Sequence, residues 1–68
     1  MPLADIVTRN LKARRSHLQL SQEALAHKAG LSVSYISMLE RGQRTPPLDT
    51  LEELARALKT TPVALLSA

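Results

Sequence analysis

His17 and His27 are the side chains most readily suspected of acid–base or metal chemistry. Neither has a second histidine or a cysteine at ligand spacing, and no Ser/His/Asp-like set occurs in the chain. Catalysis and metal binding are therefore not expected, no cofactor is implied, and both histidines are assigned to the surface. The informative polar chemistry lies between Ser32 and Gly42. As a helix, this stretch places Ile36, Leu39 and Glu40 on one side and Val33, Ser34, Ser37, Met38 and Arg41 on the other. The first set holds the only apolar stripe and must face a core. The second is small, polar or slender and ends in a cation, with no acid among its members. Such a face can approach base edges in a DNA major groove, where bulky or acidic groups could not. Glu40 is a carboxylate on the inner side, so a cation must reach it, because a buried unpaired charge is too costly. Arg14 and Arg15 are the candidates.

These residues must be held by short helices, and the chain punctuates them clearly. Ser21 is a helix cap, Leu20 and Leu25 have the spacing of a hydrophobic staple, and Gly30 can close the helix in a left-handed conformation. The pattern then repeats with Ser32 as cap, Leu31 and Ile36 as staple, and Gly42 as stop. Two short helices joined by a tight, glycine-containing turn form a helix-turn-helix. Upstream, Leu3, Ile6, Val7 and Leu11 predict a first helix over residues 3 to about 17, with Asp5 in its first turn and Arg14 and Arg15 in its last. No glycine marks its end. After Gly42 comes a stiff loop, QRTPPLD, in which Pro46 and Pro47 restrict the residues before them. Leu48, Leu51, Leu54, Ala55 and Leu58 then predict a fourth helix, and Thr61 followed by Pro62 starts a short fifth one through Leu66. Val63, Leu65 and Leu66 cannot all face inward on so short a helix. At least one should stay exposed, which makes these three the expected dimer contact.

Composition sets the outer limits. Sixty-eight residues allow one domain, expected over 1–68, near the lower limit for folding without disulfides or metal. The absence of cysteine excludes a disulfide framework and fits a reducing cytoplasm. With 44% hydrophobic but only 1% aromatic residues, the core must be built from Leu, Ile, Val and Ala. No apolar run is long enough to span a bilayer, and the N-terminal residues carry no signal-peptide pattern, so a soluble, cytoplasmic protein is expected. Residues 1–48 hold seven Lys/Arg against three Asp/Glu, and residues 49–68 hold two against three. A basic front and a near-neutral back suit a polyanion on one face.

The run SQEALAHKAGLSVSYISMLERGQRTPPLDTLEELARAL resembles the phage repressor/Cro type of helix-turn-helix, the Xre family, and the likeness extends from about Asn10 to Leu66. The resemblance implies an all-α, compact five-helix lambda-repressor-like domain, with the helix-turn-helix at helices 2 and 3 and the third helix as recognition helix. It implies base contacts from Val33, Ser34, Ser37 and Met38. Phosphate contacts are implied for Gln22 at the start of helix 2, for Gln43, Arg44 and Thr45 in the loop after helix 3, and for Tyr35 and Arg41 beside them. It maps a buried ion pair onto Arg15 and Glu40. Its partner would be double-stranded DNA, bound by a homodimer on a palindromic operator, in a transcriptional regulator of repressor or controller type. An antitoxin or a protein-interaction module of the same fold, with a protein partner, is the alternative. Three positions depart from the family pattern. Val33 stands where many relatives carry Arg or Gln, so a bidentate base contact is replaced at most by contact with a thymine methyl. Gln19 and Lys59 stand where glycines usually close the first and fourth helices. With two serines and Arg41 as its only hydrogen-bonding groups on the outer face, helix 3 is expected to leave much of the discrimination to DNA shape and backbone contacts.

Overall fold

Hydroxyl caps start three of the five helices found in the computed structural model, which describes residues 2–68. Met1, the first residue of the expected 1–68 domain, lies outside the described residues. The helices are α1 (Leu3–His17), α2 (Gln22–Ala29), α3 (Val33–Glu40), α4 (Leu48–Ala57) and α5 (Pro62–Leu65). Among the described residues there is no strand. The Ser21 Oγ accepts from the Ala24 N–H at 3.0 Å, the Ser32 Oγ from Tyr35 at 3.1 Å, and the Thr61 Oγ1 from Ala64 at 3.1 Å. Each bond satisfies one of the free donors at a helix start. Helices α1 and α4 begin instead on Pro2 and Pro47, which supply extended backbone but no side-chain cap.

Helices α1 to α4 all end in the same way. A residue in the left-handed region follows the last turn, and the next N–H reaches back five residues to a free carbonyl. These bonds run from Leu20 to Arg15, Leu31 to Ala26, Gln43 to Met38 and Thr60 to Ala55, at 2.9–3.1 Å. The left-handed residues are Gly30 (φ 71°) and Gly42 (φ 73°), as the sequence predicts, and Gln19 (φ 58°) and Lys59 (φ 57°). The two departures from glycine therefore leave the turn unchanged and place a Cβ where it costs about 1–2 kcal/mol.

The core is aliphatic. Leu11 of α1, Leu25 of α2, Ile36 and Leu39 of α3, Leu54 of α4 and Leu65 of α5 are all essentially inaccessible. Tyr35 packs against them from the side. Two expectations need correcting. Leu3 and Leu48 belong to the predicted apolar stripes of their helices, yet they are 55% and 78% exposed. Each is the first residue of its helix and lies beyond the core, whose first members on these helices are Val7 and Leu51. Leu65, expected at a dimer interface, is 2% exposed. On a four-residue helix only one side can face inward, and Leu65 occupies it, leaving Val63 71% exposed and Leu66 half-buried. Among the described residues no helix is long and apolar enough to cross a membrane.

Candidate nucleic-acid interface

Helix α3 is anchored by its inner face. Ile36 and Leu39 lie in the core, and Glu40 beside them has a side chain only 4% exposed. The Arg15 guanidinium straddles this carboxylate: Nε donates to Oε2 at 2.6 Å and Nη2 to Oε1 at 2.9 Å. The third arm, Nη1, donates to the Leu20 carbonyl at 2.8 Å and so fastens the turn between α1 and α2. The Gln22 Nε2 adds a further bond to Glu40 Oε1 at 3.1 Å. Burial pushes the Glu40 carboxyl up, but the bonds from Arg15 and Gln22 outweigh it and hold the group below the ordinary carboxylate value. The bond to Glu40 raises Arg15 in turn, against the cost of its own burial.

Arg14, the other candidate cation for Glu40, turns away. Its Nε donates to the Leu58 carbonyl at 2.9 Å and its Nη2 to the Lys59 carbonyl at 3.1 Å. It thus satisfies free carbonyls at the end of α4. Asn10 plays the same part for α5, donating to the carbonyls of Leu65 at 2.9 Å and Ser67 at 2.8 Å. Sequence reasoning missed both roles. The signals available were an asparagine inside a helix, which disfavours that setting unless its amide is used, and a second arginine beside the paired one.

The outer face of α3 is narrower than the helical wheel implies. Val33, Ser34 and Arg41 are exposed, whereas Ser37 and Met38 are half-buried. Exposure is thus greatest at the first turn of the helix and just past its end. Tyr35 and Gln22 are half-buried, and Gln43, Arg44 and Thr45 are all exposed in the loop that follows. The three acids of the C-terminal part, Asp49, Glu52 and Glu53, are exposed on α4, and Glu53 is engaged by Arg56 at 2.7 Å. His17 and His27 are exposed. The arrangement holds a short, acid-free helix face against a rigid inner network, with an exposed cation-bearing loop next to it. Chemically it can meet a polyanion and base edges.

Residues 11–65 match the helix-turn-helix family. The chain belongs to that family, in its Xre, or phage repressor/Cro, type. The helix-turn-helix is the pair α2 and α3, and the members of this family are DNA-binding transcriptional regulators, not enzymes. The control protein C.SmaI of Serratia marcescens is 40% identical over 67 residues, which cover 98% of this chain and 80% of that protein. The crystal structure of the restriction-modification controller protein C.AhdI from Aeromonas hydrophila superposes with a TM-score of 0.84 and 42% identity, covering 91% of this chain and 97% of that one. A hypothetical transcription factor from Neisseria, NHTF, has a TM-score of 0.92 at 32% identity, over 97% of this chain and 76% of that one. This Xre-type regulator therefore shares nearly its whole length with controller proteins.

Proposed function

We propose that this Xre-type regulator is a cytoplasmic controller or repressor that binds a palindromic operator in a sequence-specific manner as a homodimer. The observation that carries the reading is the acid-free start of α3, exposed at Val33 and Ser34 and followed by the exposed loop Gln43–Thr45. Val33, Ser34, Ser37 and Met38 meet base edges, the last two across the narrower part of the face. Gln22, Tyr35, Arg41, Gln43, Arg44 and Thr45 meet phosphates, the backbone contacts that set register. The second copy covers an apolar groove of about 300 Å³ between the first turns of α1 and α4, lined by Leu3, Val7, Pro46, Leu48, Leu51 and Leu66. Two recognition helices then stand about 34 Å apart, one turn of DNA.

Selection of bound DNA sequences with the parent and single variants tests the division of labour. Arg44→Ala should weaken binding to every sequence alike and lower the salt slope by about one unit, because one phosphate contact is lost. Ser34→Ala and Val33→Ala should keep the salt slope and relax preference at one or two base positions, by about 1–3 kcal/mol each. If those two variants select the parent's sites with the parent's affinity, α3 is not the reading element. Salt-sensitive binding without any selectable sequence would instead favour a protein-interaction module.

A further inference from the structure

The geometry points to a second role for the buried carboxylate: we propose that Glu40, clamped by Arg15, positions the Gln22 amide for its DNA phosphate, so that the ion pair belongs to the DNA-contact apparatus as well as to the core. The proposal rests on the reading that Gln22 meets a phosphate. Gln22 is the first residue of α2, where the leading N–H groups have no intrahelical acceptor and favour an anion. Its side chain has three rotatable bonds, and a free glutamine would have to be ordered at the moment of binding, at a cost to affinity. Here one amide N–H is already donated to Glu40 Oε1 at 3.1 Å. A carboxylate only accepts, so it selects the NH₂ end of the amide and fixes which way the group faces. The second N–H, set apart from the first by the planar geometry of the amide, takes no protein partner among the described residues and is left for an external acceptor. Arg15 contributes by holding both carboxylate oxygens in place, with its third arm tied to the Leu20 carbonyl just before α2. The same three residues therefore link the end of α1, the start of α2 and the end of α3 at one point.

The test is a cycle of DNA affinities measured by anisotropy at constant salt, on a selected site, at a temperature where circular dichroism shows every variant folded. The pair is replaced by apolar groups in Arg15→Met/Glu40→Leu, which keeps the core filled. Gln22→Ala is made alone and on that background. If Glu40 acts through Gln22, the pair replacement and Gln22→Ala each lose about tenfold, and the triple variant loses no more than either. A loss from the pair replacement that multiplies with that of Gln22→Ala shows a merely structural role and overturns the proposal. So does a silent pair replacement beside a damaging Gln22→Ala. A silent Gln22→Ala in a parent that binds DNA removes the phosphate reading underneath, and the proposal with it. Should the pair replacement not fold, side-chain amide relaxation of the parent decides: Gln22 should be ordered in the free protein, and an amide as mobile as that of exposed Gln43 overturns the proposal.

Discussion

A carboxylate with its side chain 4% exposed persists at Glu40 because three donors converge on it, two from Arg15 and one from Gln22. Removing the carboxylate leaves Arg15, itself only 15% exposed, without its counter-ion. Glu40→Ala should therefore destabilise by about 3–5 kcal/mol, the range for breaking one side of a buried pair. The apolar pair Arg15→Met/Glu40→Leu should recover much of that, since what is costly is the orphaned charge. Denaturant titrations at neutral pH read both values, and a change below about 0.5 kcal/mol for Glu40→Ala would place the pair among ordinary surface contacts. The pH dependence has a definite sign. Glu40 is held below its unfolded value, so its contribution is fully present above the ordinary glutamate pKa of about 4.3 and is lost as pH falls through the folded value. The parent should lose stability on acidification more steeply than the apolar-pair variant, whose remaining carboxylates are the same. Equal slopes would mean that Glu40 is not the linked group.

The four matching helix ends make a prediction at the level of the element. Gly30 and Gly42 occupy the left-handed position freely, whereas Gln19 and Lys59 occupy it with a Cβ. Lys59→Gly should stabilise by about 0.5–1 kcal/mol, the relief of left-handed strain less the extra freedom of an unfolded glycine. For a domain of this size that is a rise in Tm of roughly 2–8 °C. An unchanged or lower Tm would mean that the Lys59 side chain contributes something glycine cannot replace. The same residues explain what the sequence discloses. The starts of α2, α3 and α5 and the ends of α2 and α3 are legible because Ser, Thr, Pro and Gly act locally, within one turn. The ends of α1 and α4 are marked less sharply: the apolar stripes place them within a residue of His17 and Ala57, but Gln19 and Lys59 carry no local cue for a positive φ. Arginines of α1 support both turns, Arg15 through the Leu20 carbonyl five residues on, and Arg14 through the distant carbonyls of Leu58 and Lys59. The two Arg14 bonds span more than forty residues of sequence, and periodicity cannot reveal them. For the same reason the wheel separates Ile36, Leu39 and Glu40 from the outer face but leaves Arg14 and Arg15 as equal candidates; the family resemblance points to Arg15, and the packed fold pairs Arg15 with Glu40.

At the scale of the whole molecule, the periodicity that marks α4 also misplaces Leu48. A helical stripe predicts direction but not where the neighbouring elements stop, and the core reaches Val7 of α1 and Leu51 of α4 but not Leu3 and Leu48 at their starts. The result is an apolar groove whose rim residues Leu3 and Leu48 are 55% and 78% exposed. Leaving such side chains to water gives up the free energy of burial, about 25 cal/mol per Å² of apolar area. A two-fold interface recovers it on both copies at once, because the same patch serves each partner. Leu65 cannot test this, since a charge there would be buried and would unfold the chain. Leu48→Glu can. Its side chain touches little in the single copy, so folding stability should stay within about 0.5 kcal/mol of the parent. Sedimentation at high micromolar concentration should show the parent as a dimer and Leu48→Glu as a monomer. On DNA, the variant should lose affinity for a site carrying both half-sites and keep that for one half-site, because only the linkage between the two recognition helices is broken. A parent that sediments as a monomer, with Leu48→Glu binding the full site as tightly as the parent does, would remove the groove from the dimer and leave it as the bare edge of the core.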